Sequence, residues 1–209
     1  MKIISHRGYW KTDAEKNTAT AFDRSFSLGY GTETDLRDLG GALVVSHDPP
    51  PMGAIRADAM FAQVAAHDPG LTMALNIKAD GLQGMVTEAV ARHALTDCFV
   101  FDMAVPDAVQ WLKTDIAVFT RHSDVEEVPA LYTDAAGVWL DAFHGDWWDM
   151  DVVARHLDAG KRVAVVSPEL HGRAYTDVWT MMRASSLCRA RDIILCTDVP
   201  EAAKEFFRS

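Results

Sequence analysis

The sequence predicts an α/β protein of the (β/α)8 class, a TIM barrel. Three observations carry that prediction. Eight short apolar runs recur along the chain, segments of helical character separate most of them, and nearly every run ends in chemically capable polar residues. Short runs rich in Val and Ile suit buried parallel strands. Strands alternating with helices leave two parallel architectures, a closed barrel or an open doubly wound sheet. A barrel gathers all eight strand ends at one mouth, whereas an open sheet brings together only those near its switch point. The polar ends therefore favour the barrel.

The predicted strands cover residues 2–5, 31–36, 73–77, 98–101, 116–119, 137–140, 163–166 and 193–196. Helices are expected over 17–28, 84–93, 150–157, 175–182 and 200–207. In the first, Ala19, Phe22 and Phe26 lie at helical spacing, Asn17 or Thr18 caps the start, and Gly29 ends it. Residues 129–135 carry the weakest helical pattern. One insertion interrupts the alternation after the second strand. Residues 43–46 form an extra, non-barrel strand bearing His47, and Pro49-Pro50-Pro51 leads into a short helix near 57–66. No linker or compositional boundary divides the chain, so one domain over 1–209 is expected.

Composition narrows the function. Hydrophobic residues make up 49% and charged residues 24%, as in a soluble globular protein. The formal net charge of -10 argues against nucleic acid as partner. A phosphorylated small molecule stays compatible, because a bound metal or an Arg inverts the field within one cleft. Cys98, Cys188 and Cys196 form neither a disulfide framework nor a zinc site and read as thiols of a reducing compartment. The apolar run at the N-terminus is too short for a signal peptide, and none reaches the length of a membrane span. A cytoplasmic protein is expected.

The strand ends carry the chemistry: His6-Arg7-Gly8, Glu33-Thr34-Asp35, Ser46-His47-Asp48, Asn76 and Lys78, Asp102, Arg121, Asp141, Glu169, and Thr197-Asp198. Residues two apart on a strand face the same side, so Glu33 and Asp35 point together. Two adjacent carboxylates repel unless a cation or a proton joins them, and a hard divalent cation suits oxygen ligands. His6 and His47 are of the residue type best suited to acid/base work. Each residue alone is as well explained by a salt bridge or a solvated loop; the five after consecutive strands are not. His144 with Trp147-Trp148 reads better as a packing cluster than as a sugar platform. Arg121-His122 either touches a phosphate or is solvated.

The order His6-Arg7-Gly8, Asn17-Thr18, Glu33-Thr34-Asp35, His47-Asp48-Pro49 resembles the signature of the glycerophosphodiester phosphodiesterases, and Thr197-Asp198-Val199-Pro200 echoes that family's last strand. The match is specific over residues 3–49. The resemblance implies a metal-dependent phosphoric diester hydrolase acting on a small-molecule phosphodiester. His6 and His47 would be the acid/base pair, Arg7 and Lys78 would face the phosphate, and Glu33 and Asp35 would hold Mg²⁺ or Ca²⁺. Two alternatives share these residues: a phospholipase-D-like lyase that releases a cyclic phosphate, and a barrel that binds a phosphorylated ligand without turnover. The sequence departs from the family pattern at three places. Lys16 precedes Asn17 where the family has Glu. Asn76 stands where the third metal carboxylate is usual, with Asp80 and Asp102 as other candidates to complete the site. Residues 167–172 replace a Trp-Thr end. The resemblance is to a divergent branch.

Overall fold

The computed structural model describes residues 1–208. The chain opens with β1 (Lys2–His6), α1 (Ala19–Ser27), β2 (Gly31–Leu39), β3 (Ala42–Val45), α2 (Ala57–His67) and β4 (Met73–Ile77). Next come α3 (Gln83–Arg92), β5 (Cys98–Phe101), α4 (Val105–Trp111), β6 (Ala117–His122) and β7 (Gly137–Leu140). It ends with α5 (Met150–Asp158), β8 (Arg162–Val166), α6 (Thr176–Ala184), β9 (Ile193–Thr197) and α7 (Pro200–Arg208).

Eight parallel strands close into a ring in the order β1-β9-β8-β7-β6-β5-β4-β2, and β1 pairs with β2 to complete it. β3 lies outside the ring, antiparallel to β2. This is the predicted barrel with its extra strand. The expected elements all appear within a few residues. Thr18 is the residue that caps α1, its hydroxyl accepting from the Ala21 N–H, and Gly29 follows the helix in the left-handed region at φ 77°.

Two differences stand out. The sequence reading omitted α4. Only Asp107, Ala108 and Trp111 of its seven residues are buried, too few to trace an apolar stripe. β6 extends to His122, and no α-helix follows it: residues 123–136 cross to β7 as turns and bends, among the described residues the only strand-to-strand crossover within the ring without one.

Strand alternation divides the core. Ile4, Ala74, Phe99, Phe101, Phe119, Trp139, Ala164 and Ile194 fill the barrel interior. Phe99 stacks on Phe119 and Phe101 on Trp139, each pair with centroids 3.9 Å apart. Such pairs contribute roughly 0.5–1.5 kcal/mol beyond burial. Gly137 makes the first possible, since a Cβ there would sit 2.4 Å from the Phe119 ring. The outer faces pack on the helices in two clusters, one centred on Phe22, Phe61, Leu75 and Trp111, the other on Val138, Val153, Val163 and Trp179. With the interior filled, the strand ends are where a barrel of this kind builds its active site.

Candidate active site

The C-terminal ends of the strands surround a cavity of about 280 Å³ that is lined by His6, Arg7, Glu33, His47 and Asn76 on one side. Asp102, Arg121, Trp139, Asp141, Phe143 and His171 line the other. Register explains the first group. His6 is the Cα partner of Glu33 across β1 and β2, and Asp35 is the partner of Asn76 across β2 and β4. Alternation then turns all four inward.

Local backbone geometry aims Arg7. It sits in the left-handed region at φ 57°, a conformation that a non-glycine residue holds only under constraint. Its N–H donates to the Glu33 carbonyl at 2.9 Å. Gly8 follows at φ 80°, where a Cβ would lie 2.7 Å from Ala21 Cβ. Only glycine lets α1 approach this turn so closely. The turn carries the Arg7 guanidinium over β2, Nε 3.3 Å from Asp35 Oδ2. Asn17, also left-handed, donates from Nδ2 to the same Asp35 oxygen at 2.8 Å and accepts from the Thr34 hydroxyl at 2.9 Å.

The carboxylates are deeply placed. Asp35 is 0% and Glu33 2% exposed. Burial, then the Asp35 charge, pushes the Glu33 pKa up to about 7. Lys78 Nζ lies 3.7 Å from Asp35 Oδ1, and burial holds its ammonium below the usual lysine range. Two buried oxygens here lack any hydrogen-bond partner, Asp35 Oδ1 and Asn76 Oδ1. Orphaned acceptors are costly, and a cation relieves both. Glu33, Asp35 and Asn76 thus offer an all-oxygen set that fits a hard divalent ion. Among the described residues no cluster of three His, Cys, Asp or Glu side chains is placed to hold a metal. Asp80 is exposed and does not line the cavity. Asp102 lines it but is taken up by an ion pair with Arg121 and by Lys78 at 3.3 Å.

The two histidines differ. His6 donates from Nδ1 to Asp198 Oδ1 at 2.8 Å, which leaves Nε2 facing Glu33 Oε2 at 3.8 Å. Asp198 is held in turn, its N–H donating to Glu169, which also accepts from the Thr197 and Ser167 hydroxyls. Asp198 and Glu169 stood among the strand-end residues of the sequence without a role. The signal was an acid directly after the last strand, whose neighbour in a closed ring is the first. His47 sits on the rim, its side chain 43% exposed, with Nδ1 3.0 Å from Asp48 Oδ1. Arg37 anchors its loop by two 3.1 Å hydrogen bonds to the His47 carbonyl.

Across the cavity His171 donates to Asp141 at 2.7 Å, so this loop histidine belongs to the mouth. Arg121 also lines the mouth, while His122 points outward to His156. Trp148 is buried in the outer core, and Trp147 donates to the Asp141 carbonyl, which makes the pair a packing cluster. Glu15 bonds Arg24, and Lys16 pairs with Asp13 over the Trp10 ring.

No family model matches the chain, and no curated protein matches it in sequence. Solved structures do match in fold. A glycerophosphodiester phosphodiesterase from Agrobacterium tumefaciens superposes with a TM-score of 0.73 at 17% identity, over 98% of this chain and 99% of its own. A phosphodiesterase from Oleispira antarctica, in complex with the product sn-glycerol-3-phosphate, gives 0.70 at 17% identity, over 100% of this chain and 97% of its own. A glycerophosphoryl diester phosphodiesterase from Parabacteroides distasonis gives 0.64 at 13% identity, over 98% and 85%. At these identities the likeness establishes the barrel.

Proposed function

We propose that the chain is a phosphoric diester hydrolase of the glycerophosphodiester phosphodiesterase family, acting on a small-molecule diester with a divalent cation, Mg²⁺ or Ca²⁺, as cofactor. The observation that carries this reading is the convergence of His6, Arg7, Glu33, Asp35, Asn76 and His47 at one end of the barrel. The fold shared over nearly the full chain with phosphodiesterases from three bacteria supports it, as does the glycerol phosphate bound by one of them. Glu33, Asp35 and Asn76 would hold the cation, which when bound neutralises phosphate charge and stabilises the charge that develops on the non-bridging oxygens.

The remaining steps belong to the side chains. Arg7 presents a planar fork to the phosphate, and Lys78 adds a second positive charge. Asp198 keeps the His6 proton on Nδ1, so Nε2 takes the proton of the attacking oxygen, from water or from a neighbouring substrate hydroxyl. That oxygen forms a new bond to phosphorus as the bond to the departing alcohol breaks. His47, reaching in from the rim, protonates the departing oxygen. The net charge of -10 gives no support to a nucleic acid substrate. Among the described residues no helix is long and apolar enough to cross a membrane.

The test is turnover of glycerophosphodiesters followed by phosphorus NMR. We expect hydrolysis that a chelator abolishes and Mg²⁺ or Ca²⁺ restores, with either a monoester or a cyclic phosphate as first product. Full activity in metal-free protein removes the cation from the reading, and no turnover of any diester in the presence of metal overturns it.

A further inference from the structure

The missing helix after β6 leaves a second cavity, of about 390 Å³, on the outer side of that strand. It lies between residues 123–136, which stand in for the helix, and the start of α4. Its size falls in the range of roughly 300–1,000 Å³ typical of small-molecule pockets. Ala108, Val118, Leu131 and Ala135 make its inner walls. Asp102, Arg121 and Glu126 make its charged end.

Three observations indicate a ligand chamber. First, Asp102 and Arg121 line this chamber and the mouth cavity alike, so the two spaces adjoin at this pair. Second, two of the walls are held in left-handed backbone, Asp102 at φ 72° and Leu131 at φ 55°. Such strain in a non-glycine residue persists where the surroundings impose it, and it concentrates at ligand clamps. Third, the lip is apolar: Val105 is 50% and Val125 55% exposed. The lining also limits the occupant. Phe119 is its only aromatic side chain and is stacked on Phe99 inside the barrel. No aromatic cage awaits a quaternary ammonium, and no flat face awaits a nucleobase. The charged side chains gather at one end, where Arg121 pairs with both Asp102 and Glu126. That distribution matches an unbranched hydrocarbon tail whose polar head stays at the mouth.

We propose that this chamber receives an aliphatic chain carried by the phosphate group, so that the substrate is an alkyl- or acyl-bearing phosphodiester amphiphile. The proposal rests on the phosphodiesterase reading and names the substrate class for that same site. The head would occupy the mouth beside Arg7, and the chain would cross the Asp102–Arg121 pair into the space the helix vacates.

The test is calorimetric titration with methyl phosphate and octyl phosphate, neither of which needs to turn over. Each buried methylene is worth roughly fourfold in affinity, so octyl phosphate should bind at least about tenfold more tightly than methyl phosphate. Two variants then probe the chamber by that ratio. Val105→Trp fills it from an exposed lip position. Leu131→Asn removes an apolar wall with a residue that tolerates left-handed backbone. Both should bring the ratio below about threefold. Equal binding of the two phosphates by wild type overturns the chain proposal and leaves the hydrolase standing. A ratio that survives both variants places the chain elsewhere and also overturns it. Binding of neither phosphate overturns both.

Discussion

The two walls of the mouth are built on opposite plans. On the β1, β2 and β4 wall, Asp35 Oδ1 and Asn76 Oδ1 are buried without hydrogen-bond partners, and Glu33 is desolvated enough to raise its pKa to about 7. On the β5, β6 and β7 wall, each carboxylate already has a partner: Asp102 with Arg121 and Lys78, Asp141 with His171. A buried polar group left unpaired costs about 1–3 kcal/mol, so a wall that keeps such groups is destabilised unless a ligand arrives. The first wall leaves two acceptor oxygens open to a group from outside; the second pairs its carboxylates and leaves open a donor, Arg121 Nε. On the proposed reading, chemistry belongs to the former and orientation or specificity to the latter.

The contrast can be broken most sharply at the histidines. His6→Ala should lower kcat by roughly 10²-fold or more, whereas His171→Ala should cost less than about tenfold, with near-native circular dichroism for both. Comparable losses at the two positions would dissolve the distinction between the walls. A second effect lies on the outer face of the self-paired wall. His156 donates to or accepts from His122 at 3.0 Å and Tyr132 at 2.8 Å. Burial, then the His122 charge, pushes its pKa down to about 4. The unfolded chain takes up that proton near pH 6.5. Between these values the unfolded state binds more protons, so the stability is fully present above about pH 6.5 and is lost as pH falls toward 4. The loss should be on the order of 2 kcal/mol, measured by urea unfolding at pH 7 and pH 4.5, and His156→Asn should flatten the slope.

A third expectation sharpens the role of the ring-closing acid. Asp198→Asn keeps the size but no longer secures the proton on His6 Nδ1. We expect kcat to fall by roughly tenfold or more with KM little changed, and the acid limb of the pH profile to move. An unshifted profile would make Asp198 a packing residue. The smallest effect concerns the amide ligand. Asn76→Asp adds a charge beside an orphaned oxygen and should tighten Mg²⁺ or Ca²⁺ binding by roughly 1–2 kcal/mol, read by calorimetry. Unchanged affinity would move Asn76 away from the cation.

The legible parts of the molecule are those whose constraint is local. β4, β5 and β7 run over the residues that apolar patterning marked, because a strand buried on both faces reads as a continuous run. Glu33 and Asp35 share a face by strand period alone, and the Arg7-Gly8 turn is written in its glycine. What escaped is set by partners far along the chain. α4 is short and buries Asp107, which accepts from the Trp111 indole at 2.9 Å and from the Gly81 N–H at 3.0 Å; a buried acid in a one-sided helix defeats hydropathy. Nothing local marks His171, because its partner, Asp141, is thirty positions away. The chamber behind β6 follows from a helix that is missing, which patterning registers only as weakness around 129–135.

The hydrogen bond between His6 and Asp198 joins positions 192 residues apart and lies where β1 meets β9. Contacts of such separation carry the largest loop-closure cost, and we expect this one to form late when the ring assembles. The dyad therefore works as a seam: a chain with every helix in place but the seam open holds His6 with no acid to orient it. During refolding, regain of turnover should trail regain of far-ultraviolet dichroism.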